Sequence, residues 1–138
     1  MAENKTQMDW KLELIQVPVS DIDRAKAFYV DQVGFNDDHD HQFNEEIRFV
    51  QLTPRGSGCS IAFATGPHAH EMEPGSIEGL CLVVEDAHAA HAELKERGVG
   101  VSDVTDMPWG RFVFFEDPDG NKWSVQQVDY PGRPLPTS

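Results

Sequence analysis

The sequence predicts an α+β fold: two βαβββ repeats forming a curved mixed sheet around a central cavity, with the helices outside. Three observations predict it. An apolar strand-like run leads through an Asp into a segment of helical spacing with a Gly stop, and this order occurs twice. Each helical segment is followed by three short strand-like runs. A Pro-x-Gly turn separates the last two runs in each half, at nearly the same distance from the helix-opening Asp.

In the first half, residues 11–19 are apolar and rich in β-branched side chains, as a strand requires. Ser20 or Asp21 is a natural N-cap for a helix over 22–33. Ile22, Ala25, Phe28, Tyr29 and Val33 recur at helical spacing there, and Gly34 is the stop. Strands are predicted at 36–41, 47–53 and 59–64. The turn between the last two is Thr53-Pro54-Arg55-Gly56, with Pro and Gly placed as in a type I turn.

The second half repeats the order. Residues 77–84 form a strand, and Glu85-Asp86 leads into a helix over 87–97 with Ala87, Ala90, His91 and Leu94 on one face. Gly98 ends it. Strands are predicted at 99–104, 111–116 and 122–128, with Asp117-Pro118-Asp119-Gly120 as the matching turn. One domain over 11–128 is expected, with module one at 11–65, a Pro- and Gly-bearing linker at 66–76, and module two at 77–128. Residues 1–10 and 129–138 read as polar and Pro-rich tails.

Composition narrows the function classes. The chain of 138 residues is 39% hydrophobic, enough for one core, and carries a net charge of −13. Its 11 Lys and Arg are scattered, so no basic stripe is available to displace counterions from nucleic acid. An anionic membrane surface would repel it, and no apolar run spans a bilayer. The polar, acid-bearing N-terminus does not read as a signal peptide. Cys59 and Cys81 lie in apolar runs and read as reduced, buried thiols of a cytoplasmic protein.

Residues 17–29 (VPVSDIDRAKAFY), followed by Val33-Gly34-Phe35, resemble the opening of vicinal oxygen chelate proteins. Residues 114–121 (FFEDPDGN) resemble the closing turn of that family, which includes glyoxalase I, bleomycin-resistance proteins and extradiol dioxygenases. The resemblance covers residues 11–128 and implies two βαβββ units curved around a shared cavity, often in a dimer. Its enzymes hold a divalent ion with His, Glu or Gln at four strand positions. Counted from the capping Asp and the turn Gly of each half, those positions hold Leu14, Ser60, Gly79 and Ser124. Leu and Gly offer no donor, and two neutral hydroxyls are poor partners for a divalent cation. No metal cofactor is therefore expected.

Strand alternation then assigns the pocket lining. Gln16 follows Leu14, Cys81 follows Gly79, and Gln126 follows Ser124 on the cavity face. The repeat matches Arg48 and Val50 with Phe112 and Phe114, and all four are placed toward the pocket. Phe112 and Phe114 fit equally well in the core beside Phe115. Trp109, in Met107-Pro-Trp-Gly110, offers a stacking face at the rim, or packs a dimer interface. Arg48 pairs with an anionic ligand group or with nearby Glu45 and Glu46.

The expected function is binding of a small hydrophobic or aromatic molecule by a homodimer. One alternative is a metal-dependent lyase or dioxygenase drawing on Gln16 and on His39, His41, His68 or His70. Another is a metal-independent isomerase or lyase in the same pocket. No nucleophile motif or general base stands out, and the catalytic residues, if any, are unassigned.

Overall fold

A computed structural model describes residues 7–66, 69 and 71–128. The first half contains β1 (Leu14–Gln16), α1 (Ile22–Ala27), β2 (Asn36–Gln42), β3 (Arg48–Thr53) and β4 (Ser60–Ala64). A π-helical turn, Phe28–Val33, continues α1. The second half contains β5 (Leu80–Val83), α2 (Ala87–Glu96), β6 (Thr105–Met107), β7 (Gly110–Glu116) and β8 (Lys122–Val128). Each half has its own four-stranded sheet, ordered β1-β4-β3-β2 and β5-β8-β7-β6. In both, the strand before the helix pairs parallel with the last strand, and the rest is antiparallel. The α+β class and the repeat read from the sequence are those of the structure.

Both helices begin at the Asp the pattern marks. Asp21 accepts from Arg24 N at 3.1 Å, and Asp86 accepts from His88 N at 2.9 Å and Ala89 N at 3.1 Å. These caps satisfy backbone donors that the first turn leaves without partners. Leu94, Ala87, Ile22 and Ala25 turn their apolar faces inward. One continuous core then joins the halves: Tyr29 packs against Phe63 of its own half and Trp123 of the other, at ring distances of 5.7 Å each. Phe28 meets Phe115 in the same layer. Burying each such side chain contributes about 1.5–3 kcal/mol.

The strand expected at 11–19 is confined to Leu14–Gln16, and two further strand assignments and one turn shift. The strand expected at 77–84 is confined to Leu80–Val83, because Gly79 has φ +88, a left-handed conformation that interrupts an extended run. The strand expected at 99–104 is irregular. Val99 packs into the core and one ladder-like bond, Ser102 N to Phe114 O, runs at 2.9 Å, while the paired strand is Thr105–Met107. The first Pro-x-Gly turn spans Pro54–Ser57, not Thr53–Gly56. Ser57 N bonds Pro54 O at 3.0 Å and Gly56 takes φ +81 at the third position. The second turn closes as expected, Gly120 N to Asp117 O at 3.0 Å.

Candidate functional site: the outer face of the second sheet

Pairing across β7 and β8 sorts their side chains. Phe112 opposes Gln126 and Phe114 opposes Ser124, while Val113 opposes Val125 and Phe115 opposes Trp123. The second set is buried in the core. The first set therefore lies on the outer face, which settles the position of Phe112 and Phe114 away from Phe115. In parallel β5, Cys81 is the partner of Ser124 and Val83 of Gln126, so both join the same outer face.

The aromatic rings on this face form one surface. Phe112 and Phe114 are nearly parallel, 6° apart in plane with centroids at 6.0 Å. Trp109 occupies the two-residue turn between β6 and β7 and stands edge-on to Phe112 at 6.4 Å. Trp109 is 50% exposed, Val83 47% and Phe114 39%. Polar groups are few and close by. Cys81 Sγ approaches Gln126 Oε1 at 3.5 Å, and the Ser124 hydroxyl lies 3.4 Å from Leu80 O.

The corresponding face of the first sheet carries Leu14, Gln16 and Ser60, since Leu14 pairs with Ser60 and Gln16 with Ala62. Ser60 is 6% exposed, and its Oγ lies 2.6 Å from Thr53 Oγ1 and 3.1 Å from Gln51 Nε2. Asp38 bonds Thr53 from β2. His39 and His41 share this face opposite Gln51 and Phe49, with rings stacked at 5.8 Å. His68 and His70 lie outside the described residues.

Arg48 and Val50 do not belong to the pocket-facing set. Leu52 pairs with Ile61 and Val50 with Phe63, which puts both on the core side, where Val50 is 0% exposed. Arg48 shares that side and is held by Asp40 through Nε at 3.0 Å and Nη2 at 2.9 Å, and by Asp23 through Nη1 at 2.8 Å. Its partners are therefore not Glu45 and Glu46. The displaced first turn causes the error. Matching the two Pro-x-Gly turns shifts β3 against β7 by an odd number of residues, and an odd shift exchanges the faces. The face companions of Ser60 are Gln51 and Thr53, which counting back across the hairpin would have found.

The four positions at which the family's enzymes hold a metal do not fit a divalent ion. Leu14 has no donor atom, the Ser60 hydroxyl is engaged by Thr53 and Gln51, and Gly79 lies ahead of β5, leaving Cys81 beside Ser124. Among the described residues, no three His, Cys, Asp or Glu side chains are grouped to hold an ion.

Two βαβββ repeats, each with an open four-stranded sheet and one capped helix, define a glyoxalase-type fold. The chain belongs to the Glyoxalase/Bleomycin resistance protein/Dioxygenase superfamily, whose family model matches residues 11–125. It is similar to TnmS3, an antibiotic binding protein from Streptomyces sp. CB03234. The two are 39% identical, over 89% of this chain and 99% of that one, with a TM-score of 0.78. A glyoxalase/bleomycin resistance protein from the same organism is 42% identical, over 85% of this chain and 100% of that one, with a TM-score of 0.72. The uncharacterized protein YetH of Bacillus subtilis (strain 168) is 28% identical over 117 residues, 82% of this chain and 94% of that one.

Proposed function

We propose that this protein binds a small aromatic or hydrophobic organic molecule on the outer face of the second sheet, without a metal ion. The observation that carries the reading is the exposed pair Trp109 and Phe114, both packed against the buried Phe112, on the face of the second sheet opposite its core side. Ring faces set at right angles cradle a flat ligand, and Gln126 and Cys81 beside them supply a small number of orienting polar groups. The relative described as an antibiotic binding protein supports small-molecule binding. Gln16 and Ser60, on the corresponding face of the first sheet, complete the lining when a second copy of the chain closes over the site. Exposed Val83, Trp109 and Phe114 supply the apolar area for that contact.

Metal independence follows from the donor set at the four family positions. The cellular setting proposed is the cytoplasm, on the free thiols Cys59 and Cys81, which are half-buried and exposed and not buried as their apolar runs suggest. Among the described residues no helix is long and apolar enough to cross a membrane.

Titration of chelator-treated protein with naphthalene-1-methanol, followed by amide chemical shifts, tests the reading. Saturable shifts at Cys81, Trp109, Phe114 and Gln126 support it. Absence of saturable shifts on that face refutes it.

A further inference from the structure

The two hairpin turns at the junction of the halves are packed differently. The β7–β8 turn is bonded to the first half: Asp119 accepts from Ser20 N at 3.1 Å, Ser20 Oγ at 2.6 Å and Arg24 Nη2 at 3.2 Å. Asn121 Nδ2 donates to Pro18 O at 2.9 Å. Gly75 approaches so closely that a Cβ there would stand 1.9 Å from Asp119 O. No space is left on that side.

The β3–β4 turn, Pro54–Ser57, faces β5 and α2 of the second half. Among the described residues it makes no hydrogen bond to either element, and its one polar link is Arg55 Nη2 to Glu93 Oε1 at 3.6 Å. Beneath it lies a cleft of about 540 Å³. Phe35, Leu82, Val84, Leu94, Phe115 and Val125 form its apolar walls. These walls belong to the core side of the second sheet; Cys81 and Val83 of β5 also line the cleft, so it meets the ring-bearing outer face along β5, while Trp109, Phe112 and Phe114 take no part in it.

The mouth is cationic. Glu93 is shared by two guanidiniums, Arg55 at 3.6 Å and Arg97 at 3.8 Å. Both lie over Gly34, where a Cβ would come within 2.4 Å of Arg97 Nη1 and 3.6 Å of Arg55 Nη2. Neither side chain makes a hydrogen bond among the described residues, so their donors are available. Two cations on one carboxylate leave a positive excess in a chain with only 11 Lys and Arg against 24 Asp and Glu.

We propose that this cleft is a second ligand site, for a small organic anion with an apolar body and one carboxylate. The body occupies the space between Phe35, Leu82 and Leu94, and the carboxylate meets Arg55 and Arg97 at the mouth. The volume lies within the usual range for small-molecule pockets, roughly 300–1,000 Å³. A guanidinium and a carboxylate form paired, charge-assisted hydrogen bonds that fix the orientation of such a ligand. The proposal does not rest on the reading of the outer face.

The test is an amide-shift titration of the full chain with 1-naphthoate, compared with neutral naphthalene-1-methanol. Expected are saturable shifts at Phe35, Gly56, Leu82, Val84 and Leu94. Affinity should fall about tenfold in the Arg55→Ala/Arg97→Ala double variant, as loss of charged hydrogen bonds predicts. Trp109→Ala should leave naphthoate binding in the cleft, read at Phe35, Leu82 and Leu94, unchanged. Ala90→Phe, which fills the cleft, should abolish it while the thermal transition shows the protein folded. Shifts confined to the Trp109 face, no saturation, unchanged affinity in the double variant, or full binding by folded Ala90→Phe would each overturn the proposal.

Discussion

The Tyr29 hydroxyl donates to Asp117 Oδ2 at 2.7 Å, joining a helical residue of the first half to a turn residue of the second. The same oxygen accepts from Trp123 Nε1 at 2.8 Å. Asp117 Oδ1 meanwhile accepts from the amides of Asp119, Gly120 and Asn121, and Oδ2 from Asn121 Nδ2. Every polar atom in this buried set has a partner, so it fixes the relative placement of the halves at no unpaired-group cost.

Tyr29→Phe removes the acceptor of Trp123 Nε1 and one donor to Asp117. The expected loss is about 1–3 kcal/mol of folding stability, read from urea denaturation. An unchanged midpoint would show that the contact is energetically idle.

Burial, with Asp117 beside it, pushes the Tyr29 phenol above its ordinary range. The folded value being raised, its contribution is complete below the unfolded phenol value, about 10, and declines as pH rises beyond it. Urea midpoints measured from neutral to alkaline pH should fall above that point, and Tyr29→Phe should flatten the fall.

The Asp40 carboxylate is held well below its usual range, first by hydrogen bonds from Arg48 and then by those from Lys26. A depressed carboxylate stabilises the fold above its unfolded value, about 4, and that contribution is lost as pH falls toward the folded value. The side chains are 20% and 25% exposed, so solvent screens part of the effect. Stability should drop on acidification below about pH 4, and Arg48→Gln should make that drop shallower. An identical acid profile in the variant would remove Arg48 from this role.

Trp109→Ala and Phe114→Ala remove partly exposed rings whose aromatic contact is with Phe112, outside the main core cluster. Each should weaken aromatic ligand binding by roughly threefold to tenfold, the worth of one ring contact, with little change in thermal midpoint. Titration calorimetry of the variants measures it, and equal affinity in both would displace the site from this face.

The helix signals are legible in the sequence because their causes are local. A capping Asp, an apolar stripe and a Gly stop act within one helix, so Asp21, Asp86, Gly34 and Gly98 marked the helix ends directly. Alternation alone puts Cys81, Ser124 and Gln126 on one face, which the β5–β8 pairing shares, but it leaves Phe112 and Phe114 open between pocket and core until the β7–β8 register assigns them. Arg48 and Val50 were misplaced because hairpin register depends on pairing across a turn, and a one-residue displacement at Pro54–Ser57 reverses every side chain behind it. The Tyr29–Asp117–Trp123 contact was illegible because nothing in the spacing of these residues links them before the halves pack.

The central claim is that a neutral flat ligand binds the rings of the second sheet with no cation required. The most direct measurement is calorimetric titration of naphthalene-1-methanol into EDTA-dialysed protein, repeated after adding Ni, Zn, Fe or Mn. The account predicts one isotherm, unaltered by any of these ions and weakened by Trp109→Ala. Binding that appears only once a metal is restored would contradict it.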